Sequence, residues 1–138
     1  MMPMYDPWEE AVKKGLETIE MDMLIAGGYY CRDYQLIIVN KNLSSPQKRE
    51  ALAHELAHHD YSAGIAICCE SYLESIYQGA HEKFIDRKAA EKLMPIEDVE
   101  AYLKNNPEAT VYELAEFFSV TERMARIRIE SLINKGGI

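Results

Sequence analysis

His54, Glu55 and His58 form an HExxH box within Ala53-His54-Glu55-Leu56-Ala57-His58. No other pattern in the chain constrains chemistry as tightly. Two histidines four positions apart on a helix lie about 40° apart around its axis, on adjacent turns of one face. Both imidazoles can therefore reach one metal ion. Glu55 stands beside the first of them, placed to take a proton from an attacking water. This set is the one expected of a zinc hydrolase acting on amide bonds, with Glu55 as general base.

A catalytic zinc ion usually has three protein ligands. The chain holds four histidines, at positions 54, 58, 59 and 81. His59 is about 100° round the helix from His58 and points away from a shared ion. A helix expected from about His81 to Met94 offers His81, Glu82, Asp86 and Glu91. Glu82 and Asp86 share a face, whereas Glu91, nine positions after Glu82, falls about 180° away. Glu82 is thus assigned as the third ligand beside His54 and His58. Asp86 is assigned behind them, as the carboxylate that accepts the free N–H of a ligating histidine. Glu91 is read as a solvated helix residue. The group that steadies the reaction's oxyanion is sought among His81, Tyr29, Tyr61 and Tyr77, with His81 favoured as the second catalytic residue. Cys68 and Cys69 are possible soft ligands, but buried reduced thiols are the favoured reading, because two His and a Glu already complete the set.

The elements that must carry these residues follow from local signals. Asp6-Pro7 reads as an N-cap and first helical position, with Trp8, Ala11 and Val12 on one face and Gly15 as the stop. A short strand is expected near residues 17–21. Gly27-Gly28 is a turn, and residues 29–31 and 34–39 form a β-hairpin about Arg32-Asp33. The β-branched run at 37–39 marks a central strand. Ser45-Pro46 opens the helix of the HExxH box, with Ser45 as cap. Residues 61–79 are less regular, with a further helix at 70–77 between Gly64 and Gly79; they are read as a substrate wall or lid. Pro95 stops the helix that starts at His81. Helices at 97–104, from the Thr110/Glu113 capping box to Phe118, and from Thr121 to about Asn134 complete the chain.

At this point the sequence resembles the ImmA/IrrE metallopeptidases. Residues 82–95, EKFIDRKAAEKLMP, resemble that family's ExxA(N/D)xxAxxLLMP signature, and Ala53 to His58 resemble its AHELAH helix. Gly28-Tyr29-Tyr30, Leu36-Ile37-Ile38-Val39-Asn40 and Asn42-Leu43 resemble its hairpin and loop. The likeness spans about residues 10–134. Ile85, Lys88 and Lys92 depart from it, where Ala, an aromatic residue and Leu are common, and none of these replaces a proposed ligand or the base. The HExxH…ExxxD pattern is also shared with gluzincin peptidases. The resemblance implies an α+β fold: a small antiparallel β-hairpin or sheet packed on a mainly helical, zincin-like core, with a C-terminal helix-turn-helix-like unit. The expected division is a metallopeptidase core at 1–96 and a helical extension at 97–138. It further implies Zn2+ as cofactor and a helix-turn-helix repressor as the protein cleaved or removed, often one guarding mobile elements or stress genes.

Composition bounds the alternatives. At 138 residues and 15.8 kDa, with 48% hydrophobic residues, the chain can bury a core without cross-links. Three cysteines, two of them adjacent, make a poor disulfide framework and point to the cytoplasm. No apolar run approaches the roughly 18 residues of a membrane span, and the first residues lack the pattern of a signal peptide. A net charge of −8 speaks against general nucleic-acid binding. The C-terminal pair of helices carries Arg123, Arg126 and Arg128, where a recognition helix would carry them. Packing over the catalytic helices, or docking of a repressor, is favoured there over DNA contact. Two function classes follow: a zinc endopeptidase with a repressor as substrate, or a catalytically silent regulator that binds a repressor or DNA. The oligomeric state is not legible from these residues.

Overall fold

The computed structural model describes residues 4–23, 27–61 and 72–134, the side chains of 72–78 excepted. Asp6 caps α1 (Pro7–Lys13), its carboxylate accepting from the backbone N–H groups of Trp8 and Glu9. Gly15 ends the helix at a φ of +73°, a left-handed conformation that favours glycine. Ala11 is buried, but Val12 is 75% exposed and does not join the expected apolar face. Position 12 is about 100° round the helix from position 11, and the sheet covers only one side.

Three strands follow: β1 (Glu17–Met21), β2 (Gly28–Cys31) and β3 (Leu36–Asn40). A single 3-10 turn, Arg32–Tyr34, links the last two. β2 and β3 form the expected antiparallel hairpin, with Tyr29 opposite Ile38. β1 adds to the other edge of β3 in parallel, so the sheet is mixed rather than purely antiparallel, in the order β1-β3-β2. β3 is central, which explains its β-branched run: Ile37 and Val39 are fully buried.

Ser44, not Ser45, caps α2 (Ser45–Tyr61). Its Oγ accepts from Gln47 N while the Gln47 side chain accepts from Ser44 N, a reciprocal capping box. Pro46 therefore sits one position deeper, where its missing N–H is still no loss. α2 has two buried faces. Leu52 and Leu56 pack on Ile37, Val39, Leu16 and Ala11. Ala53 belongs to a second cluster with Ala89, Ala90 and Leu93 of α3 (Tyr72–Leu93). Small residues on both helices, Ala53 against Ala89 and Ala90, are all fully buried and let the two backbones approach. α3 is one helix through Gly79, so the expected break there and the separate start at His81 are not observed. Of the stretch 61–79 read as a substrate wall or lid, residues 62–71 lie outside the described residues.

α4 (Ile96–Asn105), α5 (Val111–Phe118) and α6 (Glu122–Asn134) follow. The Thr110/Glu113 capping box is present, and Thr121 Oγ1 accepts from Met124 N at the start of α6. Val99, Leu114, Phe118, Met124 and Leu132 share the cluster of Ala89, Ala90 and Leu93. Buried polar groups latch these helices to the rest. Arg49 of α2 donates to the carbonyls of Tyr5 at 2.7 Å and Ser119 at 3.2 Å. Glu50 accepts from Thr121, and Arg128 donates to the Met94 carbonyl at 2.8 Å. The fold is α+β, and no described helix is long and apolar enough to cross a membrane.

Candidate metal centre

α2 presents His54 and His58 one turn apart, and α3 brings Glu82 across from them. His54 Nε2 lies 2.8 Å from one Glu82 carboxylate oxygen and His58 Nε2 lies 2.8 Å from the other. One donor atom from each of the three residues falls within 4.8 Å of the others. The imidazole rings meet edge on, their centroids 4.9 Å apart.

Asp86, one turn along α3 from Glu82, reaches the back of the site. Its Oδ1 is 2.9 Å from His54 Nδ1, and its Oδ2 accepts from Arg123 Nη2 of α6 at 2.7 Å. Burial pushes the Asp86 carboxyl up, but the bonds from His54 and Arg123 outweigh it and hold the group below the usual carboxylate range. An ionised carboxylate only accepts, so the proton of that contact sits on His54 Nδ1. Nε2 is then the nitrogen turned toward Glu82. Burial lowers the His54 pKa, yet the Asp86 bond and the charges of Glu55, Glu82 and Asp86 raise it overall. For His58 burial prevails, helped by the charges of His54 and His81, and its pKa falls.

The donor set fits a zinc ion. Two imidazole nitrogens and a carboxylate oxygen converge, and the ring orientation of His54 is fixed from behind by a carboxylate, as ligating histidines require. A cation bound here would take the place of the direct His54–Glu82 and His58–Glu82 contacts.

Glu55 points from α2 to the side of β2. It is buried, and burial with the Glu82 charge pushes its carboxyl up to about 7 against the opposing charge of His54. Gly28 makes room for it. A Cβ at that position would stand 3.3 Å from Glu55 Cγ and 3.2 Å from the Ile38 carbonyl oxygen. Sequence reading took Gly28 only as a turn residue; the close approach depends on how α2 crosses the hairpin.

The other candidates fall around this group. His81 lies beside it, its ring centroid 5.8 Å from that of His58 and stacked on Phe84. Its nitrogens are not among the three clustered ligand residues. His59 turns away and bonds through Nδ1 to the Tyr30 hydroxyl at 2.7 Å. Tyr61 packs edge on against Phe84 with its ring half-exposed, and Tyr29 is exposed on β2. The Tyr77 side chain, Cys68 and Cys69 lie outside the described residues. Glu91 is half-buried and pairs with Lys88 at 3.5 Å, so it is not a freely solvated residue. Sequence reading missed Arg123 as the partner of Asp86, since nothing in local spacing connects positions 37 apart. It also grouped Arg128 with a recognition face, whereas Arg128 is buried. Arg126 pairs with Glu122 on the surface of α6.

Comparison with known proteins covers the stretch of chain that carries this group. No curated protein matches the chain. The family model Peptidase_M78, the IrrE N-terminal-like domain, matches residues 12–130, from α1 to within α6. The metal-ligand box on α2, the carboxylates on α3 and the helices that brace them all fall inside that match, and the chain belongs to the ImmA/IrrE family of metallopeptidases.

Proposed function

We propose that this protein is a zinc-dependent endopeptidase that hydrolyses a peptide bond in a helix-turn-helix transcriptional repressor, relieving repression of a mobile element or stress genes. The observation that carries this reading is the convergence of His54, His58 and Glu82 within 4.8 Å beside a buried Glu55. When bound, zinc supplies Lewis-acid polarisation of the scissile carbonyl and makes a nearby water more acidic. His54, His58 and Glu82 would hold the ion. The Glu55 carboxylate accepts the water proton and returns it to the leaving amine. Its buried position beside the three ligand candidates places it to carry that proton. Asp86 keeps the His54 proton on Nδ1 and the ring in place. His81, beside His58, is the group we assign to the developing oxyanion. The family supports peptidase chemistry; the repressor as substrate and the cytoplasm as its site of action rest on the resemblance alone.

The test is incubation of zinc-loaded protein with a helix-turn-helix repressor found in a neighbouring reading frame. Cleavage that is lost in Glu55→Gln and on chelation supports the reading. An intact repressor that nevertheless leaves its operator overturns it in favour of regulation by contact.

A further inference from the structure

Between α3 and α6, on the far side of Asp86 from His54, lies a polar groove of about 240 Å³. Lys83, Asp86 and Arg87 line it from α3, and Arg123, Glu130 and Ser131 from α6. Arg123 and Asp86 neutralise each other. Lys83 and Arg87 are exposed, one turn apart, and make no ion pair among the described residues. That leaves two cations against the single carboxylate of Glu130. Ser131 is 6% exposed, and its Oγ has no hydrogen-bond partner among the described residues. A buried hydroxyl without a partner is costly and rare in a folded protein. A hydroxyl donor flanked by Lys83 and Arg87, neither in an ion pair among the described residues though Arg87 lies over the Phe84 ring, calls for an anionic oxygen group as ligand.

We propose that this groove is a specificity subsite that receives a glutamate or aspartate side chain of the peptide held at the metal centre, a role that rests on the peptidase reading above. Asp86 belongs to both places: one oxygen faces the groove's Arg123 and the other holds His54. A peptide lying across Glu82 therefore passes the mouth of the groove. The volume of about 240 Å³ admits an acidic side chain with room to spare, so selection rests on the charge of the lining rather than on size. A nucleic-acid phosphate offers similar chemistry, but the net charge of −8 repels a polyanion at long range.

The experiment measures binding of labelled peptides to the full-length, zinc-loaded Glu55→Gln protein. One is an alanine/serine peptide carrying glutamates, and the other its glutamine counterpart. The glutamate peptide should bind roughly tenfold more tightly, in keeping with one charge-assisted contact set. That preference should vanish in the double variant Lys83→Glu/Arg87→Glu and shrink several-fold in Ser131→Ala. Both changes of charge are on exposed residues, and circular dichroism checks that the fold persists. Equal binding of the two peptides, or a preference that survives the double variant, overturns the subsite. Inorganic phosphate or duplex DNA binding at Lys83 and Arg87, without peptide preference, overturns the peptide assignment too. A preference for glutamate in a protein whose wild type cleaves nothing would sink the peptidase reading while leaving the groove a carboxylate site. Cleavage of the repressor at the wild-type rate by the double variant would do the reverse.

Discussion

Arg123 and Asp86, 37 positions apart, meet at 2.7 Å, and through that contact α6 reaches the back of His54. The C-terminal pair of helices is thus part of what positions His54. An outer carboxylate of this kind typically changes metal affinity about 10–100-fold. Asp86→Ala should weaken zinc binding by that amount, read by chelator competition. Arg123→Ala should weaken it only a few-fold, because its side chain is 63% exposed and an exposed pair contributes about 0–1 kcal/mol. Equal losses in the two variants would refute this ranking.

Glu55 joins chemistry to stability. Its pKa is raised from 4.5 to about 7, so the folded protein binds this proton more readily than the unfolded chain. The contribution favours folding at low pH and is lost as pH rises from about 4.5 through about 7. In chelator-treated protein, Glu55→Gln should raise stability by up to about 3 kcal/mol at pH 8 and change it little at pH 4. The same variant should keep zinc and lose about 10²–10⁴-fold in hydrolysis. Urea titrations at both pH values and a peptide-cleavage assay measure the two effects separately.

Gly28→Ala tests how close β2 comes to the base. A glycine-to-alanine change at a compatible position stabilises by about 0.4–1 kcal/mol through the unfolded chain. Here the new Cβ would sit 3.2 Å from a backbone oxygen of the paired strand and 3.3 Å from Glu55 Cγ. The strand cannot yield without breaking its register, and Glu55 is buried. Net destabilisation of about 1–2 kcal/mol is expected, with a loss of turnover at unchanged zinc content. A Tm equal to or above the wild-type value would show that the neighbours give way freely.

Lys92, one of the positions where the chain departs from the family signature, bridges Glu10 of α1 at 2.7 Å and Asp60 of α2 at 2.9 Å. Lys14 pairs with the same two carboxylates, and the Tyr5 hydroxyl bonds to Glu10. Burial alone would push the Glu10 carboxyl up, but the bonds from Lys14, Lys92 and Tyr5 outweigh it and hold it at about 2. A depressed carboxylate stabilises the fold above its unfolded value of about 4.5, and the effect is lost as pH falls toward about 2. Lys92→Met should therefore cost about 1–2 kcal/mol at pH 7 and almost nothing near pH 2. A loss independent of pH would assign the effect to packing instead.

The ligand box, Glu82 and Asp86 were legible in the sequence because each depends on a spacing within one helix. Four residues along a helix return to the same face whatever the helix packs against. Caps, the hairpin and the central strand were readable for a like reason: each is decided within a few residues. The shifted cap at Ser44 and the unbroken helix through Gly79 show the limit of such signals, since packing along α3 tolerates a glycine that local propensity counts against. What the sequence determined by itself was which groups could act together on one element. Only the tertiary structure decided which elements meet. Buried alanines let α2 and α3 close on each other, β1 joined β3 in parallel, Gly28 came to lie against Glu55, and Arg123 turned to Asp86 rather than outward. Those pairings arise from side-chain volume and from the pairing of charge across distant parts of the chain, which no local period records.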